Sequence, residues 1–174
     1  MYSTKISAML TEYNELIEFC HINGEITFET YINDTYKKSL LLSAASYFEA
    51  TITRAIHEFA ASASHNNVEL VSFLDNKAIN RQYHTLFNWE SKNANQFFGL
   101  FGESLKDRAQ KCISADKALE EAMLAFIAIG RERNMLVHQN YIEAQINDTF
   151  EEIFSKYAKA CKFVEFLINL FISP

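Results

Sequence analysis

The sequence predicts an all-α domain, and three observations carry the prediction. Only 4 glycines and 1 proline occur in 174 residues, and the proline is Pro174, the last residue. A β-sandwich, a Gly-rich phosphate loop and a dinucleotide-binding sheet all require more turn residues than that. Apolar residues make up 49% of the chain, with 15 Phe and 8 Tyr, which excludes a disordered chain and supplies a core. Apolar residues also recur at three- and four-residue steps, the period of an amphipathic helix. The length fits one domain, residues 1–174, with a less regular inserted lobe over about residues 66–112.

The first helix carries Ile6, Met9, Leu10, Tyr13, Leu16, Ile17 and Cys20 on one stripe, and Asn23-Gly24 ends it. A long second helix is expected over residues 33–63. Its stripe is Leu41, Ala45, Phe48, Ile52, Ile56 and Phe59, with Leu40, Ala44 and Tyr47 beside it, so it packs on more than one neighbour. Residues 62–67 are small and polar and read as a loop. Residues 68–77 and 79–87 read as short helices, and residues 93–102 as a short aromatic segment. The next long helix starts near Asp116, an N-cap residue type, with Leu119, Met123, Phe126, Gly130 and Val137 on one face. The last helix opens on Thr149-Phe150-Glu151-Glu152, a capping-box pattern. Its stripe runs from Phe150 through Ile153, Tyr157, Cys161 and Val164 to Phe171, and Phe163, Phe166, Leu167 and Leu170 add a second apolar face. Covering both faces takes either a subunit interface or the inserted lobe.

The balance of 16 basic and 22 acidic residues gives a net charge of −6, which argues against a broad electrostatic nucleic-acid binder but leaves room for one local basic cleft. Cys20, Cys112 and Cys161 are odd in number and form no C-x-x-C pair, so no disulfide framework is expected. Neither Cys20-His21 nor His57 with His65 has the ligand spacing of a zinc site; no metal and no cofactor are expected. No nucleophile-elbow sequence occurs. The N-terminus has no apolar signal core. Residues 163–172 are interrupted by Glu165 and Asn169 and are too short to span a bilayer, so a soluble cytoplasmic protein is expected.

One cluster carries chemistry: Arg131-Glu132-Arg133-Asn134-Met135-Leu136-Val137-His138. At about 100° per residue, Arg133 falls within the stripe of Leu119, Met123, Phe126 and Gly130, with Asn134 at its edge, while Arg131 and Glu132 point away. An arginine on an inward face needs a partner or a water-filled cleft. His138 comes where the helix ends. Arginine and histidine together suffice for metal-free RNA cleavage. The imidazole exchanges a proton near neutral pH, and the guanidinium holds the scissile phosphate and its developing charge. RNA brings its own nucleophile, the 2′-hydroxyl. The structural reading of the same residues is a buried ion pair and a helix-end histidine. Phe97, Phe98 and Trp89 are the aromatic candidates for stacking on a base, with core packing the stronger reading. Lys106, Arg108 and Lys111 read as a solvated helix face that could extend a basic rim.

The segment Arg133-Asn134-Met135-Leu136-Val137-His138 resembles the R-x4–6-H motif of HEPN domains. Leu41-Leu42-Ser43-Ala44-Ala45-Ser46-Tyr47-Phe48-Glu49, His84-Thr85-Leu86-Phe87-Asn88-Trp89 and residues 93–102 resemble the RiboL-PSP-HEPN subgroup. The resemblance implies an up-and-down four-helix bundle, with additional short helices in the inserted segment, that forms a homodimer with the two motifs facing each other. It implies a metal-independent endoribonuclease that leaves 2′,3′-cyclic phosphate and 5′-hydroxyl ends. The implied setting is a toxin or phage-defence effector restrained by an antitoxin or other partner protein. Residue by residue, Arg133 becomes the phosphate binder, Asn134 an orienting residue and His138 the proton-transfer residue. Glu49 is a candidate partner for Arg133 across the bundle. Tyr141 stands three residues after His138, one position beyond the tyrosine that some HEPN toxins carry. The other reading is a non-catalytic HEPN module that binds RNA or nucleotide or scaffolds a partner.

Overall fold

The computed structural model describes residues 3–139 and 141–172, and among them it contains helices and no strand. Four long helices form the bundle: α1 (Thr4–Asn23), α2 (Ile26–Ala63), α7 (Lys117–His138) and α8 (Phe150–Ile172). Between α2 and α7 lie α3 (Val68–Leu74), which continues into a π-helical turn at Asp75–Ile79, then α4 (Tyr83–Leu86), α5 (Asn95–Gly99) and α6 (Glu103–Ala115).

Side-chain pairs give the helix directions. The Ser3 amide of α1's N-cap donates to the Tyr157 hydroxyl of α8 at 2.7 Å, while Tyr13 stacks on Phe150 with centroids 4.1 Å apart. Tyr36 meets Phe150, Phe48 meets Tyr157 and Phe59 meets Phe171, so α2 and α8 run in the same direction. Asp116 pairs with Lys162 and Glu132 with Lys156, so α7 runs opposite to α8. The order is up, down, up, down.

Local chemistry sets the boundaries. Ser3 caps α1, and Gly24 ends it at φ 69°, where its amide and that of Glu25 bond to the His21 and Cys20 carbonyls. That left-handed turn suits glycine and launches α2 within two residues. Helix α2 therefore starts at Ile26, seven residues before the expected 33. The early turns show no one-sided stripe because Ile26, Phe28 and Tyr31 are all exposed. Asp116 caps α7 by accepting from the Ala118 and Leu119 amides, and the capping box of α8 closes in both directions between Thr149 and Glu152. Residues 66–112 are irregular only in their first part, since α6 is a regular 13-residue helix. Its apolar stripe is narrow, with only Ala109 and Ile113 buried, and so is hard to see in the sequence.

The lobe closes the core. Phe87 stacks on Phe97 at 4.6 Å and meets Phe126 of α7 edge-on at 4.9 Å. Phe98 stands against Phe163, and Phe101 against Phe171. Phe163, Leu167 and Leu170, the second face of α8, are buried within the chain, so the lobe and not a subunit interface covers them. Phe97 and Phe98 are fully buried and Trp89 nearly so; they are core residues, each aromatic contributing about 1.5–3 kcal/mol of gross burial. Two positions on α7 depart from the wheel. Val137 is exposed, and its neighbour Leu136 is the buried residue of that last turn. Glu132 does not face solvent: α8 lies along that flank, and Lys156 donates to its Oε1 at 2.8 Å.

Candidate active site

The site is built on the C-terminal half of α7, at the junction of α2 and the lobe. Gly130 sits one turn before Arg133, and the Trp89 indole lies directly on the helix backbone there. A Cβ on Gly130 would stand 2.0 Å from Cε3 and Cζ3 of Trp89, a distance no carbon pair tolerates. The indole N–H donates to the His84 carbonyl at 3.1 Å, so α4 is tied through Trp89 to α7. The result is a narrow crevice of about 10 Å³, room for about one water, bordered by Ala45, Tyr83, His84, Trp89, Arg133 and Asn134.

Arg133 stands at the lip of this cleft, with its side chain 32% exposed. Its Nη1 donates to Oδ1 of the adjacent Asn134 at 3.1 Å. Its Nη2 faces Oε2 of Glu49 on α2 at 3.9 Å, too far for a hydrogen bond, and Glu49 is itself 41% exposed. A loose pair of this exposure is worth about 0–1 kcal/mol. A guanidinium has five N–H donors, so most of the fork stays open for an oxyanion. Beneath it Tyr83 is buried; burial and the Glu49 carboxylate push its hydroxyl far above the ordinary range, partly offset by Arg133. Tyr83 is therefore a neutral wall at working pH.

The predicted residues do not all meet. Arg133, Asn134 and Glu49 come together. His138 is the last residue of α7, exposed, with no hydrogen bond or ion pair among the described residues. Five helical positions put it about 140° around the axis and about 7.5 Å along it from Arg133, outside the cleft of its own chain. Tyr141 lies elsewhere again, with Lys38 of α2 over its ring at 5.3 Å. Lys38 is buried, pairs with Asp34 at 2.7 Å and reaches the Ile142 carbonyl at 3.4 Å, while Lys37 donates to the Ile146 carbonyl at 2.9 Å. On the other flank Lys156 binds both Glu132 and Asp148. The segment after His138 is thus clasped from two sides. Burial first, and then the neighbouring Asp148 carboxylate, raise the Glu132 carboxyl despite Lys156, whereas the two carboxylates raise Lys156 against its own burial.

Tyr83 and His84 belong to the site without having been singled out as site residues. Two signals in the sequence pointed there: the segment from His84 to Trp89, and a glycine in the middle of a helix stripe, which marks a close approach. The basic trio does not form a rim: Lys106 pairs with Glu103, and Arg108 donates to the Leu170 carbonyl at the end of α8. No group of His, Cys, Asp and Glu among the described residues is arranged to hold a metal. No helix among them is long and apolar enough to cross a membrane.

A family model described as RiboL-PSP-HEPN matches residues 7–173. Searches of curated proteins and of solved structures return no match.

Proposed function

The chain belongs to the RiboL-PSP-HEPN family, and from that premise we propose that it is a metal-independent endoribonuclease of the HEPN type. The observation that carries this reading is the open guanidinium of Arg133, held at a cleft by Asn134 with most of its donors unused. In the proposed reaction Arg133 grips the scissile phosphate and Asn134 sets the plane of the fork. Glu49, 3.9 Å away, adds a weak electrostatic bias to the guanidinium's orientation. His138 transfers a proton, and the 2′-hydroxyl of the RNA is the nucleophile, giving 2′,3′-cyclic phosphate and 5′-hydroxyl ends.

His138 and Arg133 of one chain are on different faces of α7, so the complete site requires two copies. A homodimer joined at the motif end would place one copy's His138 opposite the partner's Arg133. Met135 and Val137 in the same turn as His138, and Tyr141 and Ile142 a few residues after it, are exposed and give such an interface its apolar area. The setting we propose is cytoplasmic, as a toxin or phage-defence effector held in check by a partner protein.

The test is inducible expression of wild type, Arg133→Ala and His138→Ala, with total RNA examined in EDTA for new 5′-hydroxyl ends. Growth arrest with new ends in the wild type alone supports the reading. The separation of His138 from the cleft also favours a second reading, a non-catalytic module that binds nucleotide or RNA or scaffolds a partner. A soluble dimer that yields no new ends while retaining a bound partner would move that reading ahead.

A further inference from the structure

We propose that the cavity between the end of α2 and the lobe binds a small amphipathic acid, an apolar chain ending in one carboxylate, with Lys77 as the partner of that carboxylate. The cavity holds about 570 Å³, and small-molecule sites run to about 300–1,000 Å³. It is distinct from the Arg133 crevice, and α4 borders both. Tyr83 and His84 line the crevice, while Gln82, Thr85 and Leu86 line the cavity. Ile56, Phe59 and Ala60 of α2 and Leu74 and Ile79 of the α3 segment supply apolar walls. Core packing does not close the space. Leu70 and Leu100 border it and remain 46% and 57% exposed, so apolar surface is left facing water at its mouth.

The polar groups select the head of the ligand. Among the described residues that border the cavity, Lys77 is the only charged one and none is acidic. Its ammonium has no hydrogen bond or ion pair among the described residues, and Asp75, two positions earlier, is taken by His57 at 2.9 Å. The Ser64 hydroxyl donates to the Ala61 carbonyl at 3.2 Å, and the Thr85 hydroxyl donates to the Gln82 carbonyl at 2.7 Å. Gln82 Nε2 donates to nothing among the described residues. The hydrogens left unused are those of an ammonium and an amide, and a carboxylate is the acceptor that matches both. One positive charge against apolar walls fits a single acid group on a chain and not a polyphosphate. The backbone around Lys77 is also unusual. Lys77 lies in the π-helical turn Asp75–Ile79, and the segment that carries it is flanked by left-handed residues, His65 and Asn66 at φ 52° and 59° before it and Arg81 at φ 61° after it. Both features concentrate at ligand sites.

The experiment is titration calorimetry of the full chain with octanoate, decanoate, decanol and decyltrimethylammonium, each below its micelle-forming concentration. Decanoate is expected to bind one to one and about three- to tenfold tighter than decanol, and the cation is expected not to bind. Each CH₂ added between octanoate and decanoate is expected to tighten binding about two- to fourfold. Lys77→Gln is expected to lose the preference for acid over alcohol while binding decanol as wild type does, and Lys77→Arg to keep the preference. Ala63→Phe, at an exposed position on the edge of the cavity, fills the space and is expected to weaken both ligands. Absent binding of decanoate, equal affinities for decanoate and decanol, or a Lys77→Gln protein that retains the preference overturns the proposal. So does an Ala63→Phe protein whose oligomeric state changes while its affinity for decanoate does not, because the opening is then an interface between chains. None of these readouts uses RNA cleavage, so the outcome is independent of the ribonuclease reading.

Discussion

Gly130→Ala adds one methyl group to α7, and the structure fixes what it meets. The new carbon would lie 2.0 Å from two atoms of the Trp89 ring and 2.8 Å from a third. Carbon atoms in contact sit about 3.5–4.0 Å apart, so the indole must retreat by about 1.5–2 Å. Trp89 is packed between Tyr83, Phe87 and Phe126, at centroid distances of 5.7, 5.1 and 5.7 Å, so it has no empty space to enter. Overpacking of this kind costs about 1–3 kcal/mol, and a backbone-seated clash belongs at the upper end. Alanine in place of glycine returns about 0.8–1.0 kcal/mol of helix propensity. The net is a loss of about 1–2 kcal/mol, or about 2–8 °C in Tm for a chain of this size. Trp89 is the single tryptophan, so its fluorescence reports the displacement directly. The assay is thermal unfolding with emission spectra, and Gly99→Ala is the control, because a Cβ at Gly99 meets nothing within 4 Å. Gly130→Ala should unfold earlier with a red-shifted emission, and Gly99→Ala should do neither. A Gly130→Ala protein as stable as wild type with unchanged emission would refute the packing argument, and with it the claim that Trp89 ties α4 to α7.

Other outcomes follow from the same geometry. Arg133→Ala should abolish RNA cleavage while shifting Tm by less than about 4 °C, since its pair with Glu49 is exposed and loose; Arg133→Lys should not restore cleavage, because an ammonium lacks the fork. Thr149→Ala removes one half of a closed capping box and should cost about 1 kcal/mol, read as about 2–4 °C in Tm, with cleavage retained. Glu132 holds its proton to higher pH in the folded chain than its ordinary value of 4.5, so its contribution to stability is present at low pH and is lost as pH rises through the folded value. Glu132→Gln removes that dependence. Its Tm relative to wild type should therefore rise as pH is raised above about 4.5, and a relative Tm that falls over the same range would contradict burial as the dominant influence.

Much of the fold is written in the helix period. The stripes of α1, α7 and α8 and the caps at Asp116 and Thr149 follow from local rules, because each depends on residues within one or two turns. The start of α2 does not follow, since Ile26, Phe28 and Tyr31 spread around the helix and no stripe marks where it begins. Helix α6 also escapes, its buried stripe being two residues wide. At the site, Arg133 was legible because a charge on a core stripe violates the pattern around it. The seat of Trp89 on Gly130 was not, because it joins residues 41 positions apart in the chain, and no local rule fixes which ring meets that glycine.

The N-cap of α1 is completed from α8, with the Ser3 amide donating to the Tyr157 hydroxyl across 154 positions. During synthesis at about 5–20 residues per second, the first helix waits roughly 8–30 s for that partner. Throughout that time the nascent hairpin of α1 and α2 has no α8 to cover Tyr13, Tyr36 and Phe48. The bundle that holds Arg133 closes only when the last helix leaves the ribosome. A site built on that bundle is therefore assembled only after α8 has been made. Until then the unfinished chain is a helical hairpin with these aromatic rings uncovered.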